Sequence, residues 1–559
     1  METKKVNNPY NNIVDPDISG ADNTYPNNPY TLQRVVAVQK KEDSVYTKRL
    51  KEHFPFFGIG SALYALFYTF CLYKNASGIT YPFFVAGTLC YFFFSMRKLG
   101  VPYKKDSVFF IVSIVLLGIS NCFTNSIPLL NLNKLGIFLL SFILMIHTIY
   151  MDQNWNFPKY LGALMETIGL VCACVLRPFS DMVSYFDAQK QAKTGKKSYF
   201  IPALIGIVIA IPVLLFMTLL LASADVVFSD MLHNIFYAFN FVTLFQISFL
   251  TIFVFFVSYA VYAALCTQKV KEDVNDHRVL EPVIAIIVTA ALAVLYLLFS
   301  VIQILYLFIG NMQLPEGYTY SQYARQGFFQ LLTVCILNLI IVLICLYLFR
   351  ENTALKVILT VISGCTFIMI LSSALRMLMY IDRYNLTFLR IFVLWALAVI
   401  FLLMAGVTAF IHMNKFPLFT YSMIIVTVFY IGLSFAHPDY WIAKYNLDSS
   451  HLDYLNEYDV HDSQRYLSRL SADAAPVLLD KDENPYLSEN IIWEYDADLL
   501  IKNWDDVEEL NEELDSHLTE RLERLLWLHG YYDQIGSLSE NMHIRNFNFS
   551  VYAAGKYID

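Results

Sequence analysis

Long apolar runs recur through the middle of this chain, and each is long enough to cross a lipid bilayer. A membrane-spanning helix needs about 20 mainly apolar residues, because each residue advances the helix by about 1.5 Å through a hydrocarbon core about 30 Å thick. We predict spanning helices at eleven runs: residues 54–73, 79–96, 107–124, 132–150, 199–223, 235–266, 280–309, 327–349, 355–381, 387–412 and 416–436. The predicted fold class is therefore an all-α polytopic membrane protein with about 11 transmembrane helices.

The composition excludes two other classes of protein. Hydrophobic residues make up 57% of the chain and charged residues 15%, whereas about a quarter of residues are charged in soluble domains. A soluble packed core is therefore excluded, and the lipid bilayer is the predicted surrounding. No cluster of basic residues is interleaved with aromatic residues on a soluble face, so no nucleic-acid partner is predicted.

Charge divides the chain into parts that belong in different surroundings. From His437 to the end there are 9 Lys and Arg against 26 Asp and Glu, while the preceding residues carry 30 against 21. Residues 437–559 are predicted to form a small, mostly helical, acidic extracytoplasmic domain. Residues 1–50 are polar, repeat the motif NNPY, and are predicted to be a disordered cytoplasmic tail. Residues 51–198 hold the first four helices with an interfacial helix, and residues 199–436 hold helices five to eleven.

Lysines and arginines concentrate in alternate connections between the predicted spans, which sets the orientation in the membrane. The connections that are rich in these residues carry Arg97, Lys98, Lys104, Lys105, Lys190, Lys193, Lys196, Lys197, Lys269, Lys271, Arg278, Arg350, Lys356 and Lys415. The other connections carry only Lys74, Arg325 and Arg383. The N-terminus is therefore predicted to be cytoplasmic, and an odd number of spans places the acidic domain outside.

One segment tests that orientation. Residues 160–176, YLGALMETIGLVCACVL, are about as short as a span can be. If this segment crossed the membrane, every later connection would violate the charge rule. We therefore predict an interfacial or re-entrant helix on the cytoplasmic side, and a twelfth span is the alternative.

No cofactor or metal motif is found. The pair Cys172 and Cys174 is too closely spaced for a structural zinc site, and no nearby His or Cys completes one. In DKDENPYLSE, Pro485 replaces the glycine of a calcium loop. P-loop, GxSxG and HExxH motifs do not occur. The prediction is no cofactor and no metal, with an enzymatic activity left open but not favoured.

Ionisable residues at membrane depth are costly and are candidates for function. Most of them fall near the predicted outer face, where we predict a ligand-binding site that draws on these residues: Asp225, Asp230, Glu316, Tyr320, Tyr323, Arg325, Arg376, Asp382, Arg383 and Arg390.

The arginines of SALRMLMYIDRYNLTFLR need a turn between them. Arg376, Arg383 and Arg390 are seven residues apart, but residues 355–413 are too long for one span. The chain is therefore predicted to reverse near Asp382 to Asn385. Arg376 and Arg390 then lie at similar depth, one to two helical turns below the outer surface, and need anionic partners.

Two interpretations of the segment TYSQYARQGFFQLL stay open. Tyr320, Tyr323 and Arg325 suit interfacial anchoring, because aromatic rings rest at the headgroups and Arg extends to water. Gly327 permits close approach of a backbone or ligand, so Arg325 is also a candidate for an outward-facing anion site with the other arginines. The alternative is a salt-bridge network that docks the acidic domain onto the outer face.

Several segments in order resemble one family of proteins. They are LLASADVVF at 220–228, SVIQILYLF at 300–308, YTYSQYARQGFFQLL at 318–332, SALRMLMYIDRYNLTFLR at 373–390, IAKYNL at 442–447, YLSRLSADAAPVL at 466–478 and IRNFNFSVYAA at 544–554. The chain resembles, over residues 200–554, the bacterial multi-pass membrane proteins grouped as domain of unknown function 4173 and its relative 4153. The resemblance implies a bacterial plasma-membrane protein with an extracytoplasmic tail, and no activity.

Three functional hypotheses follow. The first is a non-catalytic protein that binds an anionic or lipid-linked envelope ligand at its outer face, for transport or sensing. The second is an enzyme similar to membrane glycosyltransferases with a lipid-linked donor, in which Asp225 would be the base or metal ligand. The third is a structural partner of another membrane protein.

Overall fold

The described part of the chain is almost entirely helical. The structure is a computed structural model that describes residues 43–75, 77–152, 155–192, 241–270, 278–305, 320–413, 415–448, 457–480, 483–488 and 516–558, with isolated positions between 214 and 231. No strand occurs among these residues, although Leu280 and Phe349 form one isolated bridge. The fold class predicted from the apolar runs, all-α and polytopic, is confirmed.

Nineteen helices are labelled here in chain order within the described residues. They are α1 (Val45–Glu52), α2 (Phe54–Leu72), α3 (Thr80–Leu99), α4 (Ser107–Phe123), α5 (Ile127–Ile149), α6 (Phe157–Ala173), α7 (Arg177–Ala192), α8 (Phe241–Cys266), α9 (Pro282–Gln303), α10 (Tyr320–Leu348), α11 (Thr353–Tyr384), α12 (Phe388–His412), α13 (Leu418–Phe435), α14 (Pro438–Asn446), α15 (Glu457–Leu467), α16 (Ala475–Leu478), α17 (Pro485–Ser488), α18 (Ser516–Glu540) and α19 (Phe549–Gly555).

Eight of the described helices are long and apolar enough to cross a membrane: α2, α5, α8, α9, α10, α11, α12 and α13. Each coincides with a predicted span. The second and third predicted spans form α3, which ends with Arg97 and Lys98, and α4, which is apolar but only 17 residues long. The fifth predicted span, residues 199–223, lies almost wholly outside the described residues.

The ambiguous segment at residues 160–176 forms most of α6 and the break after it, and α6 and α7 make a bent pair of helices. Helix α6 and the start of α7 meet at an angle of 64° across a short break. Asp181 of α7 is buried and accepts a hydrogen bond from the hydroxyl of Tyr259 in α8, at 3.1 Å. Such a bend occurs in a broken span or a re-entrant loop, so the preference for a re-entrant helix stays a prediction.

The described helices pack around several apolar clusters. One cluster joins α1 to α5 with α8 and includes the fully buried Leu50, Phe57 and Tyr259. Two others join α9 to α12, around Leu359 and Met404 in one and around Cys335 and Met369 in the other. A polar network adds to the packing of α4, α5 and α13. Within a bilayer, hydrogen bonds and close packing hold helices together, because lipid chains are as apolar as the helices themselves.

That polar network centres on the side-chain amide of Asn133 in α5. Its oxygen accepts hydrogen bonds from the hydroxyls of Tyr430 and Ser434, both at 2.7 Å, and its nitrogen donates to the Ser120 hydroxyl and the Asn121 oxygen, both at 3.2 Å. The amide of Asn133 therefore has partners on both its oxygen and its nitrogen.

The C-terminal residues pack against one end of this bundle. The Phe547 carbonyl accepts the Ile79 N–H at 2.8 Å, and the Asn548 amide donates to the Thr124 carbonyl at 2.9 Å. The Arg545 guanidinium donates to the Tyr73 carbonyl at 2.9 Å. We call this the capped end of the bundle. The predicted domain boundary at residue 437 stays a prediction.

Candidate functional site

The candidate site surrounds the turn between α11 and α12 at the capped end. Helix α11 ends at Tyr384, and α12 begins at Phe388. Asn385 has a positive φ of 66°, a conformation that Asn adopts more readily than most residues other than glycine. The turn therefore reverses the chain sharply and brings side chains of both helices to one place.

Two helices of the C-terminal part hold this turn. The Asn446 amide at the end of α14 makes two hydrogen bonds with the backbone of Leu386. It accepts the Leu386 N–H at 2.7 Å and donates to the Leu386 carbonyl at 3.0 Å. The Tyr466 hydroxyl of α15 accepts the Phe388 N–H at 2.9 Å. Burial raises the pKa of Tyr466, so it stays a neutral phenol. These contacts fix the start of α12.

Arg390 lies in the first turn of α12 and reaches back across the turn. Its guanidinium donates to the carbonyls of Tyr384 and Asn385. These carbonyls lie at the end of α11, where helix carbonyls have no partner inside the helix and carry partial negative charge. The guanidinium also lies over the ring of Tyr380, 4.3 Å from its centroid, in a cation–π contact. One face of Arg390 is therefore fixed by α11.

Arg376 lies deeper along α11 and is 7% exposed. Its guanidinium donates to the Gln303 side-chain oxygen of α9 at 3.2 Å, and the Ser372 hydroxyl donates to the same oxygen at 2.6 Å. The bond to Gln303 links the guanidinium of Arg376 to a neutral group.

An apolar cavity of ≈ 270 Å³ joins the two arginines. Its lining consists of Phe328, Phe329, Arg376, Met377, Tyr380, Thr387, Leu389, Arg390 and Val393. Two guanidinium groups thus line it together with apolar side chains, and no carboxylate is among the described residues that line it. Phe329 and Leu389 are 50% and 58% exposed on the outside of the bundle. The apolar side of the cavity therefore adjoins a surface that can face lipid.

A second cavity of ≈ 280 Å³ adjoins the first and has polar walls. It is lined by Tyr380, Tyr384, Asn385, Leu386, Thr387, Arg390, Asn446, Asp462, Ser463 and Tyr466. Tyr380, Thr387 and Arg390 line both cavities. We call the first the apolar cavity and the second the polar cavity. The Arg390 guanidinium lies where they meet.

The structure brings two of the ten predicted site residues, Arg376 and Arg390, to one cavity. Asp382 is exposed and lines neither cavity. Asp225 is also exposed, and its carboxylate accepts the Val227 N–H at 2.7 Å. The backbone of α11 includes Arg383, whose side chain lies outside the described residues.

Five other predicted site residues are not placed at the cavities. Tyr320, Tyr323 and Arg325 form the first two turns of α10, and their side chains lie outside the described residues. Asp230 and Glu316 also lie outside the described residues. The role predicted for these five residues stays a prediction.

The equal depth predicted for Arg376 and Arg390 is wrong. Arg376 lies eight residues before the end of α11, about 12 Å along the helix, whereas Arg390 lies two residues after the start of α12, about 3 Å. The reason is the position of the turn, which falls between Tyr384 and Phe388, slightly later than the predicted reversal near Asp382 to Asn385. The two guanidinium groups therefore line the apolar cavity at different depths.

The sequence interpretation missed Tyr380, Asn446 and Tyr466. Tyr380 is part of SALRMLMYIDRYNLTFLR, Asn446 of IAKYNL, and Tyr466 begins YLSRLSADAAPVL. Each segment is one of those on which the family resemblance rests, but the spacing within a segment does not reveal a contact between segments. The available signal was the presence of these polar and aromatic residues in three of those segments.

Hydrogen bonds among the described residues help to dock the C-terminal part onto the bundle, beside apolar contacts such as the stacking of Phe123 on Phe549. The Asp473 carboxylate accepts hydrogen bonds from the Thr124 hydroxyl at 2.6 Å and the Asn125 N–H at 3.0 Å. His437 lies 3.3 Å from the same carboxylate. A salt-bridge network that includes the predicted arginines is not among these contacts. Among the described residues, no group of three or more His, Cys, Asp or Glu is placed to hold a metal ion.

Comparison with known proteins gives one match. Residues 111–480 match the family described as "Domain of unknown function (DUF4153)". The match starts within α4, earlier than the predicted resemblance, and includes both arginines and the residues that hold the turn. No curated protein and no solved structure matches the chain.

Proposed function

From the premise that this chain belongs to the DUF4153 family of membrane proteins, we propose that it binds an anionic, lipid-linked ligand of the cell envelope. The ligand would be held in the apolar cavity between Arg376 and Arg390, for transport or sensing. The observation that carries this proposal is the lining of that cavity, which combines two guanidinium groups with apolar walls and no carboxylate among its described residues.

Two arginines suit a phosphate for geometric reasons. A guanidinium presents several N–H donors in a planar fork that matches the oxygens of phosphate, and such charge-assisted hydrogen bonds are about twice as strong as neutral ones. Phe328 and Met377 at this cavity are buried, with 2% and 5% of their surface exposed. An anion there would interact more strongly than in bulk water, because the local dielectric is lower.

The apolar walls favour a ligand with a lipid chain. Phe329 and Leu389 lie at the cavity and are half exposed on the side of the bundle. A hydrocarbon chain that followed these side chains would remain in the membrane while its phosphate entered between the arginines. A free soluble anion would gain nothing from this apolar exit.

We place the protein in a bacterial plasma membrane, with the N-terminus cytoplasmic and the capped end outside. The described residues of the acidic C-terminal part that contact the bundle, such as Asp473, lie at the capped end. At the opposite end lie Arg278 and Lys356, which pair with Glu351, and Lys104, which donates to the Tyr150 carbonyl. Lysines and arginines favour the cytoplasmic side of short connections, which supports this orientation.

Lipid binding by arginine variants tests the proposal. The protein in lipid nanodiscs is titrated with undecaprenyl phosphate, and bound lipid is measured by native mass spectrometry. Arg376→Gln and Arg390→Gln should each weaken binding about tenfold or more, because a charge-assisted hydrogen bond contributes about 1.5–3 kcal/mol.

The matched control for this titration is Arg465→Gln. Arg465 is an exposed arginine of α15 at the same end of the molecule, and it lines neither cavity. Arg390→Lys should retain part of the affinity, since it keeps the charge but loses the fork. Equal loss in the control and in folded Arg376→Gln and Arg390→Gln would overturn the proposal.

A further inference from the structure

The polar cavity and the apolar cavity offer different chemistry to one ligand. The apolar cavity presents Phe328, Met377 and Val393, whereas the polar cavity presents the side chains of Asn446 and Asp462. A ligand that filled both would need an apolar part and a polar, uncharged or weakly charged part. Its charged group would lie between them.

Arg390 marks the position of that charged group. It lines both cavities, and its guanidinium is oriented by the carbonyls of Tyr384 and Asn385. Thr387 lines both cavities as well and offers a hydroxyl. An anion at this junction can therefore be contacted from either cavity, with Arg376 on the apolar side.

The polar cavity has the groups that recognise sugar hydroxyls. Asp462 offers a carboxylate acceptor and Tyr384 an aromatic ring. The Ser463 hydroxyl is buried and has no hydrogen-bond partner among the described residues. Buried polar groups are normally hydrogen-bonded, so an orphan hydroxyl at a cavity points to a missing partner. A ligand with several hydroxyl groups would supply one.

Charge and size limit what the polar cavity accepts. The Asp462 carboxylate would repel a second anionic group, which disfavours a pyrophosphate or an acidic headgroup there. Its volume of ≈ 280 Å³ is near the lower end of small-molecule sites, about 300 Å³. A small neutral headgroup therefore suits this cavity better than a long or charged one.

We infer that the preferred ligand is a lipid monophosphate that carries one neutral sugar, with the phosphate at Arg390 and the sugar in the polar cavity. This inference rests on the proposed function, because it requires that the apolar cavity receives the lipid phosphate. It adds the class of headgroup and assigns Asp462 and Ser463 as residues that select it.

The experiment compares two lipids in nanodiscs, undecaprenyl phosphate and undecaprenyl phosphate glucose, by native mass spectrometry. The natural protein should bind the glucose-bearing lipid about tenfold tighter than the plain phosphate. Asp462→Asn and Ser463→Ala should remove most of that preference, because each weakens binding of the glucose-bearing lipid relative to the plain phosphate. Arg390→Gln should weaken binding of both lipids.

Ser468→Ala is the matched control for Ser463→Ala. The Ser468 hydroxyl donates to the Arg465 carbonyl and lines neither cavity, so this variant should keep the preference. Thermal unfolding of each variant confirms folding. Equal affinity for the two lipids, with both still dependent on Arg390, would overturn this inference alone. If binding of both lipids is unaffected by the arginine substitutions, or if neither lipid binds, the proposed function itself is overturned.

Discussion

At the scale of single residues, the carboxylate of Asp473 joins parts of the chain that are far apart in sequence. It accepts hydrogen bonds from the Thr124 hydroxyl, the Asn125 N–H and the Ser550 hydroxyl, and it lies 3.3 Å from His437. Its side chain is completely buried. A buried carboxylate is tolerated when several donors surround it, so Asp473 fastens the C-terminal part to the bundle.

Asp473→Asn should therefore destabilise the protein by about 1.5–3 kcal/mol, because an amide places an N–H₂ group against donors where the carboxylate had an acceptor. The free energy of unfolding is measured by denaturant titration in mixed micelles. Asp533→Asn is the control, since the Asp533 side chain is 63% exposed and should change stability little. A similar small change in both variants would contradict the role given to Asp473.

Two titrating groups beside Asp473 make the capped end sensitive to pH. A hydrogen bond with Asp473 raises the pKa of His437, and burial raises the pKa of Asp439. For His437 the added stability is complete below its ordinary pKa of about 6.5 and is lost as pH rises through the raised value. For Asp439 the added stability is likewise complete below its ordinary pKa of about 4 and is lost as pH rises through the raised value. Both groups therefore favour the folded state at lower pH.

The unfolding free energies of the natural protein and His437→Gln should differ more at pH 5.5 than at pH 8.5. The difference should be at most about 1 kcal/mol, because the His437 side chain is 40% exposed and solvent screens its charge. Mixed-micelle denaturation at both pH values measures it. His529→Gln is the control, as His529 pairs with the exposed Asp533. A difference in unfolding free energy between the natural protein and His437→Gln that is the same at both pH values would contradict the prediction.

At the scale of elements, the turn between α11 and α12 depends on a helix that follows it by about fifty residues. Asn446 satisfies both the N–H and the carbonyl of Leu386. Asn446→Ala would leave these two backbone groups without a partner and should cost about 1–3 kcal/mol of stability. Loosening the start of α12 should also weaken ligand binding by displacing Arg390.

Unfolding in mixed micelles and the lipid titration together measure this effect. Asn541→Ala serves as the control, because Asn541 is exposed just after the end of α18 and its amide donates to the Ser537 carbonyl of that helix. Full stability and full lipid affinity in Asn446→Ala would show that the turn holds its shape without α14.

The bounds of the membrane helices could be predicted from the sequence. Long uniform apolar runs such as residues 387–412 predicted α12 within a residue, because bilayer thickness fixes helix length and the backbone must satisfy its own hydrogen bonds in lipid. By contrast, the spacing of apolar residues in NFNFSVYAA, at 546–554, does not decide between helix and strand. The segment forms α19, which begins where the Asn548 side chain accepts the backbone N–H groups of Ser550 and Val551.

At the scale of the whole molecule, the orientation is the main prediction. A cysteine-free variant that carries Asp533→Cys should react with a membrane-impermeant maleimide added to intact cells. A second cysteine-free variant, which carries Lys105→Cys, should react only after permeabilisation, because Lys105 is exposed at the end of the bundle opposite the capped end. All nine native cysteines, which are unbridged, are replaced first. The reverse labelling pattern would invert the molecule and place the cavities inside the cell.

The whole molecule also creates the cavities, which no single segment contains. Their walls come from α10, α11, α12, α14 and α15, from Phe328 to Tyr466. The C-terminal part therefore completes the polar cavity as well as covering the bundle end. A variant that lost α15 would lose Asp462, Ser463 and Tyr466 together.

The sequence alone determined that this is a multi-pass helical membrane protein of a recognisable family, and it included Arg376 and Arg390 among ten candidate site residues. It could do so because hydrophobic transfer and the cost of buried charge act on each segment separately. Only the tertiary structure decided that these arginines share a cavity at unequal depths, and that Asn446 and Tyr466 hold the turn between them. Those facts depend on contacts between segments that are distant in the chain, and no local pattern encodes such contacts.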